Sequence, residues 1–134
     1  MDGYEVFTVN KSRYSRIDID QLYSMNLKWV PIVDAGIKRN QNSTEIYKKG
    51  ENLDVYIKSN MTKGYLVNCV WPGESVFVDY NHPNSSKFWG ECLDLLFQQL
   101  NFSGIWIDMN EFSASLYGEM NVTENCSSKR TTGL

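Results

Sequence analysis

The sequence is short of the groups that hold metals and of the runs that cross membranes. It has one histidine, His82, in the polar turn NHPN, where it reads as a surface residue, and three cysteines, Cys69, Cys92 and Cys126, at wide spacing with no CxxC. That leaves no zinc ligand set and no thioredoxin-like pair, and the odd count leaves at least one sulfur without a partner inside the chain. No metal and no cofactor is expected. No stretch approaches the roughly 18 uninterrupted apolar residues of a spanning helix. The opening MDGYEVFTVN lacks the basic start and apolar run of a signal peptide, so neither a membrane segment nor a signal is expected in this chain. Thirteen Lys+Arg against sixteen Asp+Glu give a net charge of −3 without any basic block, which argues against nucleic acid as a partner.

What is present is enough for one modest core: 134 residues, 42% hydrophobic and 13% aromatic, too short for two ordinary domains. Asparagine carries the signal about compartment. Asn-X-Ser/Thr occurs at Asn10, Asn42, Asn60, Asn84, Asn101, Asn121 and Asn125, seven of the thirteen asparagines, where nineteen Ser+Thr would place roughly two by chance. These are candidate glycosylation acceptors, and they point to a secreted or lumenal protein. A glycosylated composition without a signal is explained by a missing N-terminus.

Along the chain, residues 18–26 carry Ile19, Leu22 and Tyr23 at helical spacing, with Ser15 and Asp18 available as caps. Residues 27–33 (LKWVPIV) predict a strand buried on both faces, with Pro31 awkward inside it. Residues 34–64 form a long polar excursion, with a short strand expected at 53–57. Another strand is expected over 65–70, then a turn at Trp71-Pro72-Gly73 and a brief apolar run at 76–78. Residues 85–100 make the best helix, with Phe88, Cys92, Leu95 and Leu96 on one face, and 105–111 follow as an apolar strand that turns acidic. The tail 119–134 reads as loop. Helix, buried strand, excursion, helix, buried strand is the rhythm of a parallel α/β protein, with no antiparallel meander expected.

Two strands end alike: VPIVDAG puts Asp34, and GIWIDMNE puts Asp108, just beyond an apolar run. In parallel α/β folds ligands lie at the carboxyl ends of strands, so the two acids can converge on one pocket. Each can instead cap the turn that follows. Carboxylates accept hydrogen bonds from sugar hydroxyls and an indole face packs on a pyranose ring, so Asp34, Asp108, Trp71 and Trp106 together suit a sugar pocket, whereas Trp29 in a strand and Trp89 in a helix read as core. Glu111 is too near Asp108 in sequence to flank a scissile bond opposite it, and reads as a support for loop amides or a cation.

These residues resemble glycoside hydrolase family 31, the α-glucosidase, maltase-glucoamylase and sucrase-isomaltase type. GIWIDMNE at 104–111 is similar to the family signature, and FTVN at 7–10, KWVPIVDAGI at 28–37, YxxG at 47–50 followed by VYIK, and VWPGESVFVDYNHP at 70–83 match its blocks in order. The resemblance covers residues 1–118. It departs at Asn10, where the family has an acid, and at Ala35, where it has a proline.

The resemblance implies a retaining α-glycosidase acting on α-linked oligosaccharides. Asp108 would be the nucleophile, Glu111 a supporting residue, and Asp34, Ile57, Trp71, Trp106 and Met109 substrate contacts. It implies that residues 1–134 are a section of a (β/α)8 barrel, from the end of strand 2 to just past strand 4, with a long loop insertion at about 35–80; a whole barrel needs about 250 residues. The acid/base and the subsite arginine and histidine would lie on later strands, so the section alone would be inactive, and Cys126 would pair with a later cysteine. The alternative is a non-catalytic carbohydrate-binding or interaction module using Asp34, Trp71 and Trp106.

Overall fold

A computed structural model describes residues 6–39, 44–111 and 126. The elements in order are α1 (Arg16–Ser24), β1 (Ile32–Asp34), β2 (Gly36–Lys38), α2 (Glu45–Leu53), β3 (Asn68–Val70), β4 (Gly73–Phe77), α3 (Ser85–Gln99) and β5 (Trp106–Asp108). They form two sheets. β1 and β5 are a parallel pair, and β2, β4 and β3 make a three-stranded antiparallel sheet in that order.

The antiparallel sheet corrects the expectation that no such meander exists. Its strands are too short, and β4 too polar at Gly73-Glu74-Ser75, to show alternation over a useful window. The turn at Trp71-Pro72 is the two-residue loop of the β3–β4 hairpin, with Val70 opposite Gly73, whose φ of +99° suits only glycine. The extended stretch expected at 53–57 is narrower: Leu53 ends α2, and Tyr56 pairs with Val78 in an isolated bridge.

α1 begins with the expected Ser15 and Asp18 as a capping box: Asp18 N–H donates to Ser15 Oγ at 3.1 Å while Ser15 N–H donates to Asp18 Oδ2 at 3.3 Å. It ends at Asn26 in the left-handed region, where Leu27 N–H donates to Leu22 O at 3.0 Å, so an Asn takes the place usually given to Gly. The strand expected over 27–33 starts only at Ile32. Pro31 lacks a donor, and its carbonyl instead accepts Trp106 N–H at 2.8 Å, opening the ladder to β5. Trp29 therefore lies ahead of the strand rather than in it, half-buried against Tyr14.

α3 is the organising helix. Ser85, Phe88, Cys92 and Leu96 are buried on one face, against a core of Val33, Ile37, Val55, Tyr56, Val76 and Val78. Burial pushes the Cys92 thiol up to about 12, so it stays protonated and packs as an apolar group. The helix before it, α2, was not foreseen. Only Ile46, Tyr47 and Gly50 of its nine residues are buried, and its Lys- and Glu-rich face hides the period. Thr44 caps it through Tyr47 N–H.

Cys69 is disulfide-bonded to Cys126, which corrects the implied pairing of Cys126 with a later cysteine; Cys92 is the free one. Asn42, Asn121 and Asn125 and, apart from Cys126, the rest of the tail 119–134 lie outside the described residues. No helix among the described residues is long and apolar enough to cross a membrane.

Tyr56 explains the glycine inside α2. Its ring lies over Gly50 and its hydroxyl donates to Tyr47 O at 3.1 Å, so a Cβ at position 50 would overlap the phenol ring. Gly50→Ala is expected to destabilise the fold by about 1–3 kcal/mol through overpacking, despite alanine's better helix propensity. Urea titration of the two proteins checks this. An alanine protein of equal or greater stability would show that the ring yields.

Candidate active site

The parallel pair decides the geometry. Ile32 lies opposite Trp106, Val33 opposite Ile107 and Asp34 opposite Asp108. Residues in register on neighbouring parallel strands project to the same face at a spacing of about 4.8 Å, so the two carboxylates stand side by side where both strands end. Val33 is fully buried under α3, so alternation along β1 turns Asp34 to the other face.

Asp34 is half-buried, and its Oδ1 accepts the N–H of Ala35 at 2.7 Å. Burial pushes its carboxyl above the ordinary carboxylate range, the N–H groups of Ala35 and Gly36 pull it back, and the charge of Asp108 raises it further. Asp34 thus binds the amide of the next residue, as a turn cap does, and lies in register with Asp108.

The chain turns sharply after Asp108. Met109 has φ +58°, a left-handed conformation uncommon for a side chain of this kind, and packs with Ile57 and Leu66 on a small apolar cluster of Ala35, Val70 and Phe77. Beyond it, Asn110 Nδ2 donates to Tyr80 Oη at 2.9 Å. A cavity of about 160 Å³ adjoins the two strand ends, lined by Ala35, Ile57, Tyr80, Asn110 and Glu111 among others.

Of the residues singled out from sequence, Ile57 and Glu111 line this cavity, Met109 packs in the same cluster as Ile57, and Asp34 and Asp108 stand side by side at the adjoining strand ends without lining it. The tryptophans lie elsewhere. Trp71 sits at the hairpin tip, 68% exposed, and Trp106 lines a separate cavity of about 240 Å³ with Tyr14, Trp29, Pro31 and Leu96. Trp89 packs edge-on to Phe7 and to Tyr80 beside the core, as expected of a core residue. His82 is half-buried rather than on the surface, and its Nδ1 accepts Asn84 N–H at 3.2 Å in the turn that starts α3. Tyr80 and Asn110 were missed by sequence reasoning, because nothing in the spacing of FVDYNHP and DMNE shows that the two loops meet. Among the described residues no cluster of three or more His, Cys, Asp or Glu could hold a metal.

The family described as "Glycosyl hydrolases family 31 TIM-barrel domain" matches residues 1–133. The chain belongs to glycosyl hydrolase family 31. A lysosomal acid alpha-glucosidase of Tetrahymena pyriformis is 43% identical over 126 residues, covering 90% of this chain and 13% of that protein. An alpha-glucosidase of Aspergillus oryzae is 32% identical over 127 residues, covering 88% of this chain and 13% of its own length. Among solved structures, an ER glucosidase II complex superposes with a TM-score of 0.73 at 26% identity, covering 86% of this chain and 13% of that one. A family 31 alpha-glucosidase from Bacteroides thetaiotaomicron gives 0.69 at 30% identity, over 84% and 19%. The chain thus spans about an eighth of the curated relatives. In this family 31 chain the described strands form an open pair and a small sheet, without a closed barrel.

The raised Asp34 carboxyl gives a sign to pH dependence. Folded Asp34 holds its proton more tightly than unfolded Asp34, so its contribution to stability is full below the ordinary value of 3.8 and is lost as pH rises through the folded value. Asp34→Asn keeps an acceptor for Ala35 N–H and removes the like charge beside Asp108. It is expected to raise the melting temperature at pH 7, with the gain shrinking as pH falls towards 3.8. Melting curves across that range check it; a gain independent of pH would show that neither burial nor Asp108 raises the Asp34 carboxyl in the fold.

Proposed function

We propose that this chain is the section of a retaining family 31 α-glucosidase that carries the nucleophile and part of the sugar subsite. It would run from the end of the second strand to just past the fourth strand of a (β/α)8 barrel, with an insertion at about 35–80. The observation that carries the reading is the in-register pairing of Asp34 with Asp108 at the carboxyl ends of two parallel strands.

Asp34 and Asp108 meet a substrate from one side. The two carboxyls of a retaining pair flank the scissile bond, so these two are not that pair, although strand spacing puts them close. Asp34, with one oxygen committed to Ala35 N–H and its carboxyl held up by burial, suits a hydrogen bond to a sugar hydroxyl. Asp108 is then the nucleophile. One of its oxygens bonds to the anomeric carbon as the glycosidic C–O bond breaks; the leaving oxygen takes a proton from an acid outside this chain, and water later cleaves the ester. Ile57 and Met109 are assigned to the sugar's surroundings and Glu111 to support of the turn, whereas Trp71 and Trp106 stand apart from that pocket.

The substrate class is an α-linked oligosaccharide ending in glucose. A lumenal or secreted site is supported by the Cys69–Cys126 disulfide, which needs an oxidising compartment, and by the sequons. Asn60 lies exposed in a bend, and the Asn84 side chain donates to Leu53 O at 3.1 Å. A barrel around this section also accounts for Trp106 and Ile107 of β5, 56% and 58% exposed here.

The test is Asp108→Asn in the longest natural polypeptide that carries these residues, assayed with an aryl α-glucoside. Turnover is expected to fall by roughly 10⁴-fold or more with the fold retained. Undiminished turnover overturns the assignment. Sugar affinity that survives Asp108→Asn, with no turnover in the parent, would favour the carbohydrate-binding alternative.

A further inference from the structure

Tyr80 is held from three sides. Its ring packs edge-on to Trp89 with centroids 5.5 Å apart, its carbonyl accepts Ser85 Oγ at 3.0 Å at the start of α3, and its hydroxyl accepts Asn110 Nδ2 at 2.9 Å. It thus ties the loop after β4 and the first turn of α3 to the turn after β5.

Asn110 has little else to hold it. Its buried Oδ1 has no hydrogen-bond partner among the described residues, so the bond to Tyr80 is the one its amide makes there. Between Asp108 and Asn110 stands a single residue, Met109, in the left-handed region. A non-glycine residue in that conformation persists only where its surroundings over-determine it, and the direction of the turn sets how the Asp108 side chain leaves the strand end. Tyr80 also lies within electrostatic reach of Asp34, whose charge acts on its phenol after burial and the Asn110 bond.

We propose that Tyr80 is a positioning residue for Asp108: through its hydrogen bond to Asn110 it latches the Met109 turn and fixes the direction in which the Asp108 carboxylate is presented. The proposal rests on the reading of Asp108 as nucleophile. A latch of this kind acts on the reacting geometry more than on substrate binding, since small misplacements of a reacting group lower the rate steeply.

The experiment uses Tyr80→Phe, Asn110→Ala and the double variant in the longest natural polypeptide, with Asp108→Asn alongside. Tyr80→Phe keeps the ring on Trp89 and removes only the acceptor. It is expected to lower kcat by about tenfold with KM within about twofold, the loss of one hydrogen bond's worth of alignment. Asn110→Ala should give a similar loss and the double variant no more than either, because both remove the same bond. A kcat for Tyr80→Phe within about twofold of the parent, or additive losses, would overturn the latch while an inactive Asp108→Asn leaves the nucleophile standing. Full turnover by Asp108→Asn would remove the nucleophile reading, and the latch with it.

Discussion

Everything in this chain hangs on the parallel ladder between β1 and β5. Some seventy residues separate the two strands, yet Ile32, Val33 and Asp34 meet Trp106, Ile107 and Asp108 one for one. Closing so long a connection is entropically unfavourable, and a three-residue ladder does not offset it alone. α3 does: it lays Phe88, Cys92 and Leu96 on Val33 and on the strands of the small sheet, so the burial that orders the helix also orders the pair. A slip of β1 by one residue would turn Asp34 to the helix side, where a charge without a partner is costly, so the burial of Val33 holds Asp34 on the face it shares with Asp108.

The intervening residues make the wall of the pocket. β2 leaves β1 after Ala35 and joins β4, and Ile57 N–H donates to Phe77 O at 2.9 Å, which brings Ile57 over the strand ends beside Met109. The Cys69–Cys126 bond ties the sheet to the chain beyond β5. Two carboxylates held together partly out of water are a standing destabilisation that a purely structural strand end would avoid, and such conflicts between local stability and arrangement gather where chemistry is done.

Much of this was legible in the residues. The period of α3, the Ser15–Asp18 cap and the recurrence of an acid after an apolar run are local patterns, and each survives in the structure. The antiparallel sheet was not legible, because three-residue strands such as Asn68–Val70 carry too little alternation to be told from loop. α2 was hidden by its polar surface and by Gly50, whose place is explained only by the Tyr56 ring across from it. The Tyr80–Asn110 bond and the Cys69–Cys126 pairing join residues 30 and 57 positions apart, and such contacts are a property of the fold rather than of any window of sequence.

The most direct test of the account is to find which carboxylate takes the sugar. The longest natural polypeptide is treated with a fluorinated α-glucosyl substrate whose covalent intermediate hydrolyses slowly, then digested, and the labelled peptide is sequenced by mass spectrometry. The account expects one glucosyl ester, on Asp108 within GIWIDMNE. An ester on Asp34, or steady turnover with no ester on either, would contradict it.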